Sequence, residues 1–319
     1  MILTIGLFKN LLISGAVLVW ALLLANASTS PREKAASLFA FVWQFVSTFV
    51  LSLLFQQWQN WNVPPQSALF LGLPADFIAA QSILLGSVIT LGVRNRSLFP
   101  KLLFGGTAMV VLYTQSPVLP FTNGNVLFLT SLVTFSLIPS LMLGHWTTRD
   151  HYPLLRSTLQ SVAWTAVLLW LLPALLFQHP DYSWQPLFQR PLWLTLAYAL
   201  PLLLPALLLA AAIWQFATEG EGTAFPYDPP KRLVTGGIYA YLSNPMQLGI
   251  CLMMFWWGVV LHALPVSLSA LVAFGLFIVF KHVCNGSCDI GEKDPRWAIY
   301  QAEVPKWFPR RTAWQRRKR

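Results

Sequence analysis

The chain has 319 residues, of which 56% are hydrophobic and only 10% are charged. A soluble domain usually carries about 25% charged residues, so this composition excludes a protein whose surface is mostly in contact with water. The formal net charge of +10 would suit a nucleic-acid-binding protein, but the positions of the basic residues argue against that class.

Apolar runs recur along the whole chain and predict an all-α, polytopic transmembrane helix bundle. About 20 apolar residues in helical form cross the hydrocarbon core of a bilayer. Their backbone must pair with itself, because lipid offers no hydrogen-bond partners. We predict about nine spans, near residues 3–25, 35–55, 77–93, 102–119, 126–144, 158–178, 191–216, 246–262 and 264–282.

Basic residues are concentrated in alternate loops. Of the 21 lysines and arginines, 19 fall in these loops or in the C-terminal tail, and only Lys9 and Arg190 fall on the other side. Because cytoplasmic loops retain Lys and Arg, we predict a cytoplasmic C-terminus. The basic tail from Arg310 onward is expected to rest on the anionic headgroups of membrane lipids rather than to bind nucleic acid.

The first span allows two interpretations. Lys9, the apolar run to Leu24 and the triplet Ala25-Asn26-Ala27 also fit a signal peptide followed by a cleavage site. The apolar run is long enough to span a membrane, so we favour its retention. Cleavage would leave the topology of the other spans unchanged.

The three cysteines do not predict a metal site. Cys251 lies in a span, where it is expected to pack as a small apolar residue. Cys284 and Cys288 lie close together in the sequence, but two thiols supply too few ligands for a zinc site.

Residues 1–190 read as helices with short connections, and their polar residues are few and unclustered along the chain. Asp76 begins a span and is expected to cap a helix. Asp150 and His151 lie in a charged loop and are interpreted as solvated residues. These features leave the role of residues 1–190 unknown.

Two stretches near the C-terminus depart from plain membrane sequence. The first, from Thr218 to Pro245, is rich in glycine and proline and is too long for a simple connection. The second follows the last span, and the spacing of Trp297, Tyr300 and Val304 places these side chains on one face of a helix. Because both stretches flank the hairpin of short spans at 246–262 and 264–282, both return to the same face of the membrane.

Short motifs follow one another in order through these stretches. They are Gly220-Glu221-Gly222-Thr223, Asp228-Pro229-Pro230-Lys231-Arg232-Leu233-Val234, Gly237-Ile238-Tyr239-Ala240-Tyr241, Asn244-Pro245-Met246, Leu248-Gly249 and Val304-Pro305-Lys306-Trp307-Phe308-Pro309. The ordered set resembles the membrane methyltransferases of the isoprenylcysteine carboxyl methyltransferase type and, more distantly, the phospholipid N-methyltransferases. The resemblance begins near residue 190. It divides the chain into N-terminal transmembrane helices of unknown role (1–190) and a methyltransferase-like domain (191–319).

The resemblance implies an enzyme that binds S-adenosylmethionine between the cytoplasmic ends of its last helices. It also implies a lipophilic small-molecule or lipid-anchored methyl acceptor that enters from the membrane. Aromatic rings would face the sulfonium cation, and backbone N–H groups at a helix start would hold the carboxylate. The candidate cofactor-binding residues are Gly237, Tyr239, Tyr241, Asn244, Pro245, Met246, Gly249, Trp297 and Lys306.

Asp289 and Glu292 are the candidate catalytic acids. Either carboxylate would pair with the ammonium or ribose of the cofactor, or would act as the base that an amine or thiol acceptor requires. The chain departs from the family pattern at Ser243 and Gln247, and it shows an apparent one-residue slip before Glu292. The choice between the two acids therefore stays open, with a preference for Glu292.

Two alternative functions are open on sequence grounds. NADPH-dependent membrane reductases of sterols and fatty acyl chains are similar in the same C-terminal helices, although the motif from Gly220 to Val234 favours a methyltransferase. The other alternative is a non-enzymatic membrane protein. The sequence contains no Gly-x-Gly-x-x-Gly motif, so a soluble-type dinucleotide-binding fold finds no support.

Overall fold

The computed structural model describes residues 2–58, 61–63, 67–119, 125–177, 181–223, 231–283 and 296–314. The chain forms two compact units. Unit 1 comprises Met1–Tyr152 and Thr158–Trp164, and unit 2 comprises Pro153–Ser157 and Thr165–Arg319. The two units divide the chain earlier than the boundary predicted between residues 190 and 191. That the two sides of the predicted boundary have separate roles stays a prediction.

The described residues are almost entirely helical. Short elements accompany the long helices: 3-10 turns at Gln56–Trp58 and Gly237–Ala240, a short helix at Gln185–Gln189, and an antiparallel pair of strands, β1 (Leu69–Phe70) and β2 (Leu73–Pro74). The principal helices are α1 (Ile2–Ala25), α2 (Pro31–Leu54), α3 (Ala75–Gly92), α4 (Leu98–Gln115), α5 (Asn125–Arg149), α6 (Pro153–Leu176), α7 (Leu192–Thr218), α8 (Pro245–Val260), α9 (Leu264–Val283) and α10 (Arg296–Glu303).

Helices occupy the positions of all the predicted spans within the described residues. Six of them are long and apolar enough to cross a membrane, namely α2, α3, α5, α6, α7 and the Ile5–Ala25 part of α1. The helix α8 is apolar but shorter, and so is the apolar stretch Leu264–Val279 of α9. The prediction of a helical protein with several membrane spans is therefore confirmed. The count of about nine spans and the side of the C-terminus stay predictions.

The start of α2 shows how local sequence sets a helix boundary. The Ser30 hydroxyl accepts a hydrogen bond from the Glu33 backbone N–H at 3.2 Å, and the Glu33 carboxylate accepts one from the Ser30 N–H at 2.7 Å. Pro31 follows as the first helical residue, where its missing N–H costs nothing. This reciprocal pair satisfies N–H groups that the first turn leaves free.

Ion pairs hold the connections at one end of unit 1. Arg94 lies 3.6 Å from the Glu33 carboxylate, and Arg32 lies 3.0 Å from that of Asp150. These residues come from three of the connections in which the basic residues are concentrated. Those three connections therefore lie together in space at one end of unit 1.

The opposite end of unit 1 holds one of the two basic residues that break the alternating charge pattern. Lys9 Nζ lies 2.7 Å from Asp76 Oδ2, and Lys9 is only 3% exposed. The prediction that Asp76 caps a helix is wrong, because Pro74 occupies the N-cap position of α3. Asp76 instead stands within the first turn and pairs with Lys9.

Helix α2 packs in unit 1 through hydroxyl groups that donate to its backbone carbonyl oxygens. These bonds are Ser87 Oγ to Ser37 O at 2.9 Å, Ser140 Oγ to Ala40 O at 2.9 Å and Ser136 Oγ to Gln44 O at 3.2 Å. Small polar residues that allow close helix contacts are typical of membrane bundles. The sequence therefore supplies unit 1 with membrane-type packing around α2.

The hairpin of α8 and α9 is the part of unit 2 that positions the site. The chain turns at His262, whose φ is +54°, and the Ser267 hydroxyl donates to the Phe255 carbonyl oxygen at 3.0 Å. Near the turn, the Arg190 guanidinium lies 4.6 Å from the centre of the Tyr198 ring and donates to the Val260 carbonyl oxygen at 3.0 Å. The second exception to the charge pattern thus also has local partners.

Candidate functional site

The Gln215 side chain, near the end of α7, positions the loop that precedes α8. Gln215 Oε1 accepts a hydrogen bond of 2.9 Å from the Ile238 backbone N–H, and Gln215 Nε2 donates to Glu219 Oε1 at 3.2 Å. Gly237 has a φ of +48°, and a Cβ there would overlap the Gln215 amide. The position therefore favours glycine both for its backbone conformation and for its close contact.

Tyr239 is a buried residue that holds this loop against α7. Its ring lies 5.4 Å from that of Phe216, and its hydroxyl donates to the Ala212 carbonyl oxygen at 3.4 Å. Burial, together with the neighbouring Tyr300, raises the pKa of the Tyr239 hydroxyl well above its ordinary value, so the group stays a protonated donor. Because the ring is engaged inside the protein, direct contact of Tyr239 with a cofactor stays a prediction.

The segment Tyr300–Trp314, named here the closing segment, pairs with the loop at residues 239–243. Two bonds come from side chains, of which Ser243 hydroxyl to Pro305 O at 3.3 Å is the longer, and three come from the backbone. The other four follow. They are Tyr300 hydroxyl to Tyr239 O at 2.7 Å, Trp314 N–H to Ala240 O at 2.8 Å, Arg310 N–H to Tyr241 O at 3.0 Å and Ser243 N–H to Pro305 O at 2.9 Å. The two stretches that stand out in the sequence therefore meet.

Two buried donor atoms at this junction lack a hydrogen-bond partner within the part of the chain that the structure describes. They are Asn244 Nδ2 and Arg310 Nη1. Asn244 is the N-cap residue of α8, yet its side chain makes no capping bond, and Pro245 follows it at the first helical position. A buried donor without an acceptor is costly, and a helix start carries partial positive charge. The junction is therefore suited to an acceptor group of negative charge.

Aromatic rings pack along α10 and the closing segment. Trp297 stacks on Tyr300 with ring centres 6.0 Å apart, and Trp314 meets Tyr300 edge-on at 5.5 Å. Tyr300 and Val304 are each 1% exposed, so this face of the predicted terminal helix packs against protein. Burial also raises the pKa of the Tyr300 hydroxyl, which keeps its proton available for the bond to Tyr239.

Other predicted cofactor-binding residues take part in packing or face outward. Met246 packs against a buried cluster formed with Tyr239. Gly249 brings α8 close to α7, since a Cβ there would lie 3.1 Å from the Pro205 carbonyl oxygen. Tyr241 and Lys306 are exposed. A role of these residues in cofactor binding stays a prediction.

The predicted catalytic acids, Asp289 and Glu292, lie outside the described residues, and their roles stay predictions. The carboxylates seen beside the site are Glu303 in the closing segment, which accepts a bond of 2.7 Å from the Trp314 indole N–H, and two residues from the loop after α7. Glu221 forms an ion pair of 2.8 Å with Arg232, and Glu219 accepts the bond from Gln215. Among the described residues, no group of His, Cys, Asp or Glu forms a candidate metal site.

Gln215 and Arg310 are site residues that sequence reasoning missed. Gln215 is an amide near the end of an apolar helix, immediately before the glycine-containing loop, and that isolated polar position was an available signal. Arg310 directly follows the closing motif. From the sequence it was interpreted as the first basic residue of a tail that rests on lipid headgroups.

Comparison with known proteins adds one family. Residues 194–285 match the family model described as phospholipid methyltransferase. No curated protein and no solved structure matches the chain. The match spans α7 and the hairpin of α8 and α9, together with the loop that contains Gly237 and Asn244.

The apolar helices define an integral, multi-pass membrane protein, and the match supports a methyltransferase. Its segment 194–285 is similar to the phospholipid methyltransferase family. The predicted resemblance is confirmed over that segment, and the closing segment lies beyond it.

Proposed function

We propose that the protein transfers a methyl group from S-adenosylmethionine to a lipophilic small-molecule or lipid-anchored acceptor in the membrane. The observation that carries this proposal is the pair of buried donors, Asn244 Nδ2 and Arg310 Nη1, that lack a partner among the described residues. The family match over residues 194–285 supports methyl transfer as the chemistry.

The two donors suit the carboxylate of S-adenosylmethionine. An amide N–H and a guanidinium N–H both donate to carboxylate oxygens, and the bond from the guanidinium is strengthened by charge. The start of α8 adds first-turn N–H groups that the Asn244 side chain does not cap. We assign the cofactor's ammonium or ribose to Glu292, with Asp289 as the alternative.

When bound, the cofactor supplies an electrophilic methyl group on a positively charged sulfur. The chain's own contribution is to hold the acceptor in line with that methyl group, since alignment supplies much of the rate of a displacement. The cofactor would leave as a neutral thioether, so the protein would need no acid to assist the leaving group. An amine or thiol acceptor also loses a proton, for which Glu292 or Asp289 is the proposed base.

We place this reaction at the cytoplasmic face. The support is the concentration of 19 of 21 basic residues in alternate loops and the tail. In unit 1 the ion pairs Arg94–Glu33 and Arg32–Asp150 gather three of these basic connections at one end, as a consistent orientation requires. Lys9, at the other end, is neutralised by Asp76.

The test measures binding of labelled S-adenosylmethionine and of NADPH to the purified protein in nanodiscs. We expect saturable binding of S-adenosylmethionine, no binding of NADPH, and label transferred to the lipid or lipidated-protein fraction of added membranes. The Asn244→Ala variant should bind S-adenosylmethionine about tenfold more weakly. Asn10→Ala, at an exposed asparagine of unit 1, is the matched control and should bind like the parent.

Two outcomes contradict the proposal. Binding of NADPH without binding of S-adenosylmethionine would identify a reductase of similar fold. Binding of neither molecule by a folded protein would favour a non-enzymatic role.

A further inference from the structure

Unit 1 contains its own group of buried polar atoms. The polar residues of 1–190 are unclustered along the sequence. The structure nevertheless brings many of them into the interior of unit 1. Side-chain atoms that are buried and lack a hydrogen-bond partner among the described residues occur in Gln44, Thr90, Lys101 and His145.

Among these residues, Lys101 is the one whose burial costs the most free energy. Its side chain is 0% exposed, and Nζ has no hydrogen-bond partner within the part of the chain that the structure describes. A buried ammonium without a hydrogen-bond partner is strongly unfavourable. An ionisable residue inside a membrane bundle is by default a functional candidate.

Helix geometry places His145 across from Lys101. The helices α4 and α5 touch where Gly105 meets Leu141, since a Cβ on Gly105 would lie 2.8 Å from Leu141 Cδ1. Lys101 is one turn before Gly105, and His145 is one turn after Leu141, so antiparallel packing brings both toward the same end.

Thr90, on α3, lies near His145 at the same end of unit 1. A Cβ on Gly144 would lie 2.6 Å from Thr90 Oγ1, which places the threonine hydroxyl beside the residue that precedes His145. His145 Nδ1 and Thr90 Oγ1 are themselves buried and lack partners among the described residues. Three helices thus each contribute one buried polar atom.

The surrounding charge is positive. Lys101 and Arg149 lie near enough for their charges to act on His145, and the Glu33 carboxylate acts on Lys101. The acidic groups in reach have other partners: Glu33 lies 3.6 Å from Arg94 and also caps α2, and Asp150 lies 3.0 Å from Arg32. The basic groups at this end of unit 1 therefore outnumber the acidic ones.

We propose that this end of unit 1 binds a phosphate or carboxylate group, with Lys101 as the central cation and with Thr90 and His145 as further hydrogen-bond partners. The Ser97 side chain makes no capping bond at the start of α4, so first-turn N–H groups on the same helix as Lys101 add to the attraction. The anion belongs either to a phospholipid headgroup or to a small soluble molecule.

The experiment has one arm for each source. In the first, the full-length protein is placed in nanodiscs that contain phosphatidylglycerol and phosphatidylcholine, and native mass spectrometry identifies the retained lipid. In the second, inorganic phosphate is titrated against delipidated protein in detergent at constant ionic strength, and the unfolding temperature is followed. We expect selective retention of phosphatidylglycerol if the anion is a headgroup, or a saturable rise in unfolding temperature if it is a soluble anion.

Variants at lysine positions test the assignment. Lys101→Met should weaken the binding seen in either arm by about tenfold or more. Lys101→Arg, which keeps the charge, should retain most of it. Lys34→Met, at an exposed lysine near the same end, is the matched control and should match the parent.

The proposal is overturned if the parent shows neither selective lipid retention nor a response to phosphate, or if Lys101→Met binds like the parent. Should Lys101→Met fail to fold, the parent and Lys101→Arg decide the question. In that case, loss of binding in a folded Lys101→Arg variant also rejects the assignment of Lys101 as a charge partner.

Discussion

The hydroxyl of Tyr300 donates a hydrogen bond of 2.7 Å to the carbonyl oxygen of Tyr239. This bond joins the buried face of α10 to the loop that leads into α8. Because both tyrosines are buried and burial raises the pKa of both hydroxyls, the bond does not depend on pH in the physiological range.

Removing the Tyr300 hydroxyl should loosen the junction. Tyr300→Phe leaves the Tyr239 carbonyl buried without this donor, so we expect a loss of about 1–3 kcal/mol in the unfolding free energy of unit 2, together with weaker binding of S-adenosylmethionine. Thermal unfolding and isothermal titration measure the two effects. Tyr152→Phe, at an exposed tyrosine, is the control. Unchanged stability and affinity in Tyr300→Phe would contradict the assigned role.

Gly237 should not tolerate a side chain. Gly237→Ala combines a positive φ with overlap against the Gln215 amide, and we expect destabilisation of about 1–3 kcal/mol. Adding Gln215→Ala should relieve the overlap but not the backbone strain, so the double variant should recover only partly. Gly275→Ala is the matched control, because a Cβ there meets nothing within 4 Å. Full stability of Gly237→Ala would show that the loop adopts another conformation.

Arg310 should contribute to cofactor affinity. Replacing it by glutamine removes the positive charge at the junction, and we expect S-adenosylmethionine to bind about tenfold to a hundredfold more weakly. The neighbouring Arg311 is exposed, so Arg311→Gln provides a control with the same change of net charge. Equal affinities in the two variants would assign Arg310 to the headgroup role instead.

Charge removal at one of the two predicted acids should abolish methyl transfer while leaving the fold intact. Glu292→Gln and Asp289→Asn are to be assayed separately for cofactor binding and for turnover, and we expect the larger loss in Glu292→Gln. Parent-like binding and turnover in both variants would reject this segment as the source of the acid. Glu219 and Glu221 would then be the next candidates.

The C-terminus should lie in the cytoplasm. A reporter that works only in the cytoplasm should be active when it is fused after Arg319, because the concentration of basic residues in alternate loops predicts this orientation. A periplasmic or lumenal signal would contradict both the topology and the proposed position of the site. A fusion after Gln115, at the end of α4, should report the opposite side.

The length of the apolar runs and the breaks between them were enough to predict most of the helices. Stretches such as Leu192–Thr218 have no other way to satisfy their backbone in lipid, and the tight turn at His262 is predicted from the short gap between two apolar runs. The π segments inside α3 and α5, at Ile83–Val88 and Leu132–Leu137, were not predictable, because one extra residue per turn leaves no mark on composition.

The candidate site was predicted in outline but not in its contacts. Gly237 and Asn244 stand out as motif residues, whereas the burial of Arg310 Nη1 depends on pairing with Tyr241, far away in sequence. Lys101 shows the same limit, since the sequence places it with Arg94 and Arg96 in a basic connection. Only the packing of α4 on α5 shows that its ammonium is enclosed.

The pairing of the closing segment with residues 239–243 has a consequence for biosynthesis. A ribosome delivers α8 and α9 to the membrane before it synthesises Tyr300–Trp314. Until that segment emerges and docks, the carbonyl oxygens of Ala240 and Tyr241 lack the backbone N–H groups of Trp314 and Arg310 as donors. Insertion of the hairpin and completion of this junction are therefore separate events in time, and a nascent chain that already spans the bilayer still lacks the contacts on which the proposed cofactor site depends.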